Sequence, residues 1–318
     1  MQRMAMRQCT LADRVSFDGF GVHSGLPVSL VIEPAAPDNG FTITREYEDG
    51  RYVGPVSIHF SRITRTTLCT TIDIGESTDV ETVEHVVSAL SGLGVDNAHL
   101  TITNTECPIL DGSALPFVKA IKKVGVTIQP QIKRFLKVKR AVTVRNDDAF
   151  AALEPYNGRV LDLEIDFDSP AIGRQRMIFN WSPKLYDERV AGARTFGFAH
   201  HRTALQQAGY ALGSSLENSI LVENDQVINP HGLRYEDEFV RHKLLDAVGD
   251  LALGGLPIYG RFRSYKGGHK LNSLVLQSLF ASQANYEVVA ADELPLAFEA
   301  LEDLPTDLRV DAYLRSVG

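Results

Sequence analysis

EDEFVRHKLLDAVGDLAL, residues 236–253, decides the fold. Phe239, Val240, Leu244, Leu245, Val248 and Leu251 spread apolar side chains over much of a helical circumference, so the segment reads as a helix packed on more than one side. An earlier stretch, DVETVEHVVSALSGLGV at 79–95, shows the same period. Val83, Val86, Val87, Leu90 and Leu93 share a side there, and Gly92 and Gly94 close the element. Aligning His85 with His242 superimposes Gly92 on Gly249, and a small-residue turn and a strand follow in both places. The alignment predicts an α+β fold of two similar domains, each a two-layer sandwich of a sheet covered on one face by helices.

Outward from these helices the pattern is that of strands. PVSLVIEP (27–34), FTITREY (41–47), PVSIHF (55–60) and TTLCTTID (66–73) are β-branched runs separated by Gly, Pro, Asp and Asn. NAHLTIT (97–103) reads as a strand, and a second helix opens at Asp111 or Ser113 and runs through Phe117 to about Lys123. QPQIKR (129–134), polar and containing a proline, separates two β-like runs, which predicts domains over 1–131 and 132–318. FLKVKRAVTVR, AFAALEPY, VLDLEIDF and RQRMIFNW read as strands before the 236–253 helix, and IYGRFRSY as one after it. ARTFGFAHHRTALQQAGYALGSSLENSILV reads as a strand–helix–strand insertion around 194–222. The last 25 residues, rich in Asp, Glu and Leu, read as a short acidic helix at the edge.

Composition narrows the class. The 318 residues suffice for about two domains, and 44% hydrophobic with 23% charged residues is globular composition. Thirty-two basic against forty acidic residues leave a formal charge of −8, without the basic excess of a phosphate-tracking nucleic-acid binder. There is no apolar run of membrane-spanning length and no secretory h-region at the N-terminus. Cys9, Cys69 and Cys107 are odd in number and far apart, which suits a reducing, cytoplasmic compartment.

The chain contains no P-loop, HExxH, GxSxG or paired CxxC. GFGVHSG (19–25) misses the dinucleotide spacing and reads as a turn. His242 and Asp246 stand four apart, on one face of the 236–253 helix, and Asp250 extends the stripe by a turn. On a surface helix such a pair is an ordinary ion pair. On a helix apolar nearly all round it is costly to bury without a partner such as a metal. Glu84–His85 repeats the theme: a His to hold a metal and a carboxylate to take a proton from its water. YKGGHKLN (265–272) offers Lys266 as a point charge for phosphate, a Gly267–Gly268 turn open to backbone approach, and His269. Each motif alone has a bland reading as a surface pair or loop.

Together, and in this order, they resemble the zinc-dependent UDP-3-O-acyl-N-acetylglucosamine deacetylases of Gram-negative lipid A synthesis. The resemblance covers nearly the whole chain, through GFGVHSG, RTTLCTT (65–71), TVEHVVSALSGLGVDN (82–97), PILDGSALPF (108–117), ARTFGF (193–198), GLRYEDEFVRHKLLDAVGDL (232–251) and YKGGHKLN. It implies an active site at the interface between the two domains, with one Zn2+ per chain. By this match His85, His242 and Asp246 are ligands, Glu84 is the general base, His269 stands opposite it oriented by Asp250, and Thr195 stabilises the oxyanion. Lys243, Lys266, Leu68, Cys69 and Gly268 fall where the family meets its nucleotide sugar, and Phe196 and Phe198 where it lines the acyl passage. Many members have Ser-Gly where this chain has Gly267–Gly268, which removes one hydroxyl contact. The acidic C-terminal extension is longer than the resemblance requires. The implied activity is hydrolysis of a linear amide by a cytoplasmic monomer. Alternative readings are a zinc amidohydrolase of this fold on another nucleotide sugar, and a silent homologue that binds nucleotide sugar.

Overall fold

A computed structural model of the chain describes residues 6–295. The acidic helix expected over the last 25 residues falls almost wholly outside them.

Strands of the first half form a five-stranded sheet in the order Val15–Phe20, Pro27–Pro34, Ala98–Ile102, Phe41–Glu46, Tyr52–Ser57. Ala98–Ile102 pairs antiparallel with Pro27–Pro34 and parallel with Phe41–Glu46. Alternation along Pro27–Pro34 sends Val28, Leu30 and Ile32 into the core and leaves their neighbours partly or fully exposed. Helices α1 (Glu84–Gly92) and α2 (Leu115–Val124) share that core through Val86, Val87, Leu90, Phe117, Val118 and Ile121.

A seven-stranded sheet is built around Ile258–Tyr265. This strand pairs antiparallel with Ala149–Glu154 on one edge and parallel with Arg159–Asp166 on the other, and its first residues pair parallel with Arg134–Val138. Val142–Asn146, Arg174–Asn180 and Tyr286–Ala290 complete it. The second half also contributes four helices in chain order, α3 (Pro183–Arg189), α4 (Ala199–Gln207), α5 (Glu238–Ala252) and α6 (His269–Phe280). α4 belongs to the expected insertion, where Phe196–Phe198 pairs parallel with Ile220–Glu223. The α+β class expected from the sequence is borne out; the two halves share a plan but differ in strand number.

The helices that carry the aligned histidines, α1 and α5, pack directly on each other. A Cβ on Gly249 would stand 2.1 Å from the Glu84 carbonyl oxygen. A mid-helix glycine costs about 1 kcal/mol against alanine, and here it lets the two backbones touch. Ser88 on α1 donates to the Leu245 carbonyl at 2.7 Å and bonds the buried Tyr186 hydroxyl, also at 2.7 Å. Gly92 leaves room for that Tyr186 ring, 2.3 Å from where its Cβ would be. The aligned glycines therefore serve different contacts.

Several local expectations change. TTLCTTID is not one strand: Ile63–Arg65 and Thr71–Gly75 flank a bend in which Leu68 adopts φ +67°. FLKVKRAVTVR breaks into Arg134–Val138 and Val142–Asn146. The polar QPQIKR segment contributes to a strand, Val126–Ile132, paired with Arg7–Leu11. α2 begins at Leu115, because Asp111 Oδ1 folds back onto Ser113 N and Oγ (3.0 and 2.7 Å) instead of capping. Reading KGGHKLN as a turn accounts only for its start: His269 opens α6, whose Leu271, Val275, Leu276 and Leu279 are buried.

Candidate active site

Residues from three helices meet where the halves join. On α5, His242 and Asp246 project from one face, one turn apart, and both are buried. The His242 Nδ1 lies 3.1 Å from the Ala193 carbonyl, which can only accept, so Nδ1 carries the proton and Nε2 keeps its lone pair. That Nε2 lies 3.3 Å from Asp246 Oδ1, and His85 Nε2, from α1, lies 3.6 Å from the same oxygen. One ligand atom from each of the three residues falls within 4.8 Å of the others. These separations are long for hydrogen bonds and suit atoms that each hold a common cation about 2.0–2.2 Å away. Burial lowers the His242 pKa to about 3 against the pull of Asp246, which keeps the imidazole neutral as a ligand must be. The residues fit a divalent ion of the zinc type. His85 Nδ1 is buried without a hydrogen-bond partner, so this ring is held by packing, edge-on to His242 with centroids 5.1 Å apart.

Beside this cluster stands a second one. Glu84, the first residue of α1, is 2% exposed and its Oε2 accepts from Thr70 N at 3.1 Å. Burial pushes its pKa up to about 7, although His269 and His85 pull the other way. His269 Nε2 lies 3.9 Å from Glu84 Oε1, and its Nδ1 donates to Asp250 Oδ2 at 2.8 Å. Burial opposes the imidazolium, but Asp250 and Glu84 outweigh it and raise His269 to about 9. A carboxyl group poised near neutrality next to an imidazole that holds its proton makes an acid–base pair. Asp250 also accepts from Thr70 Oγ1 (2.6 Å) and Asn272 Nδ2 (2.9 Å), so bonds from α6 and from the segment before Thr71 fix it. Thr82, just before α1, has φ +57°, a strained setting for a β-branched residue at the edge of a site.

The other expected residues spread outward. Thr195 is half-buried, two residues beyond the carbonyl that orients His242, and its hydroxyl makes no hydrogen bond among the described residues. Lys243 is drawn into the cluster, with Nζ 2.7 Å from Asp246 Oδ2. Lys266 points elsewhere, onto Asp148 at 2.8 Å. Phe196 packs edge-on against Phe239 (5.0 Å) and His242 (6.2 Å), while Phe198 meets Phe167 and His201. Leu68 is 45% exposed on its bend, whereas Cys69 is buried and its thiol is pushed up to about 12, an unreactive side chain. At the Gly267–Gly268 departure, a Cβ on Gly267 would stand 2.0 Å from Ser264 Oγ, so the Ser264 hydroxyl fills the space a serine would need. Gly268 has nothing within 4 Å of its missing Cβ, and the backbone there is open to approach.

Thr70, Asn272 and His23 escaped the sequence reading. His23, from the GFGVHSG turn, faces His85 and His269 electrostatically. Arg194 forms with Glu238 a buried pair (2.8 and 3.1 Å) that ties the insertion to the start of α5.

A site of buried metal-ligating side chains beside a carboxylate–imidazole pair, at the junction of two α+β halves, defines a hydrolase. The family model for UDP-3-O-acyl N-acetylglycosamine deacetylase matches residues 8–281. Proteins named UDP-3-O-acyl-N-acetylglucosamine deacetylase are similar over most of their length. One from Syntrophus aciditrophicus is 43% identical over 279 residues, 88% of each chain. One from Psychrobacter cryohalolentis is 41% identical over 92% of this chain and 91% of its own, and one from Brucella ovis 41% identical over 89% and 99%. The chain belongs to the UDP-3-O-acyl N-acetylglycosamine deacetylase family.

Proposed function

We propose that this chain hydrolyses the N-acetyl group of a UDP-3-O-acyl-N-acetylglucosamine in lipid A biosynthesis, releasing acetate, with one zinc ion per chain held by His85, His242 and Asp246. The observation that carries the reading is the convergence of those three side chains beside Glu84, His269 and Asp250. Held by these three side chains, a zinc ion would supply Lewis acidity to the amide carbonyl and to a water beside it. Glu84, with Oε2 tied to Thr70 N, uses Oε1 to take the proton from water. His269, its Nδ1 committed to Asp250, turns Nε2 to the same space and protonates the departing nitrogen. The free Thr195 hydroxyl donates to the developing oxyanion, typically worth about 3 kcal/mol. Lys243, Lys266, Leu68, Cys69 and Gly268 border the nucleotide sugar, with Lys266 leaving Asp148 to meet phosphate. Phe196 and Phe198 line the acyl chain.

The same reading divides the chain near residue 131, supported by strand pairing: the five-stranded sheet uses residues 15–102, the seven-stranded one 134–290. It takes the protein as a cytoplasmic monomer, in keeping with three free, buried cysteines. Among the described residues no helix is long and apolar enough to cross a membrane. Metal analysis coupled to an acetate-release assay on the acylated UDP sugar tests the function. Stoichiometric zinc and turnover abolished by a chelator are expected; turnover unaffected by complete metal removal refutes it.

A further inference from the structure

The GFGVHSG turn remains unused by the chemistry, yet it is gripped from both sides. On one side lies Glu106, only 1% exposed. Its Oε1 accepts from His23 N (2.8 Å) and Thr82 Oγ1 (3.2 Å), and its Oε2 from Ser24 N (2.8 Å) and Ser24 Oγ (2.6 Å). Thr82 lies two residues before Glu84, so the same carboxylate touches the approach to α1. Gly21 packs so close that a Cβ would stand 2.1 Å from Glu106 Oε2. On the other side lies the insertion. Leu212 N donates to the His23 carbonyl (3.0 Å) and Gly213 N to the Val22 carbonyl (3.1 Å). A Cβ on Gly213 would stand 2.3 Å from the Gly21 carbonyl oxygen, and the Tyr210 ring meets the His23 ring edge-on at 5.6 Å.

We propose that Glu106 is a positioning residue for acyl-chain selection: through the 21–25 turn it holds the 194–222 insertion at a fixed distance from Glu84. This rests on the reading that the insertion lines the acyl passage. The carboxylate is suited to the task because its two oxygens accept from the Thr82 and Ser24 hydroxyls and each also faces a backbone N–H, of His23 or Ser24, that can only donate. A glutamine of the same shape turns one of its own N–H groups toward them, donor against donor, and pushes the turn away.

The test compares kcat and KM on the acylated UDP sugar and on its un-acylated counterpart, for wild type, Glu106→Gln, Gly213→Ala and the double variant. Lost stability lowers the active fraction equally for both substrates, so the ratio of the two kcat/KM values reports positioning alone. In Glu106→Gln and in Gly213→Ala that ratio should fall by at least about tenfold. In the double variant it should fall no further than in the worse single, since both open one contact. A wild type that favours the acylated sugar, with a Glu106→Gln ratio within about twofold of it, overturns the role of Glu106 and leaves the acyl reading intact. A wild type indifferent to the acyl chain overturns both. If Glu106→Gln does not fold, Gly213→Ala decides, and an unchanged ratio there overturns the proposal.

Discussion

Asp246 serves four partners at once, the His85 and His242 rings through Oδ1, and the Lys243 ammonium and the His269 ring through Oδ2. Removing one member of such a set leaves the others buried and uncompensated. His242→Ala should therefore lose metal and turnover together while circular dichroism stays near that of the wild type. A variant that keeps stoichiometric zinc shows that His242 is no ligand. Glu84→Gln makes the complementary prediction. The amide keeps the shape and loses the base, so metal should stay while kcat falls by about two to four orders of magnitude; wild-type turnover would remove Glu84 from the mechanism. These residues were legible because their spacing is local: the i,i+4 pair on α5 and the Glu84–His85 step on α1 are visible in a single helix. Thr70 was not, because its bond to Asp250 spans 180 residues and nothing in RTTLCTT announces it. Glu106 hid for the same reason, its partners lying at positions 23, 24 and 82.

Among the elements, the insertion is the one to which the proposed function assigns specificity. Phe196 is wedged against Phe239 and His242, but Phe198 sits further out, beside Phe167 and the exposed His201. Each buried methylene contributes about 0.8 kcal/mol, so a chain of ten or so carbons supplies several kcal/mol before ordering costs. Removing the O-acyl group should lower kcat/KM by roughly a thousandfold, measured on matched UDP sugars. Phe198→Glu should shrink that difference by harming the acylated substrate most, and equal losses on both substrates would place Phe198 in the insertion's own packing. Helix periodicity gave α1 and α5 away, and alternation gave the strands. Failures came where a short local event cut a uniform pattern, as at Leu68 with its left-handed backbone inside TTLCTTID. α6 went unseen because its first turn carries the site, with the polar His269 and Asn272 buried beside Leu271, Val275 and Leu276 and breaking the apolar period.

At the scale of the whole molecule, one apolar cluster runs through both halves, from Leu30 and Leu100 to Leu163 and Phe262. On the outer part of the larger sheet, burial would raise the Asp162 carboxyl, but bonds from Arg176 and Arg261 outweigh it and hold the pKa below the usual carboxylate range. A folded-state pKa below the unfolded one stabilises the protein above about pH 4, and the benefit disappears as pH falls through the folded value. The gap in urea midpoint between wild type and Asp162→Asn should accordingly stay constant above about pH 5 and close under more acid conditions; a gap that widens there contradicts the linkage. The touching backbones of Gly249 and Glu84 have a consequence of another kind, for heat. Where side chains set the distance between two helices, warming loosens a site by rotamer exchange well before the chain melts. Here main-chain atoms set it, so there is no soft intermediate setting for the catalytic groups to relax into. Activity and near-ultraviolet dichroism should fade over the same few degrees, and an enzyme that falls silent long before it melts would show that the joint between α1 and α5 gives way first.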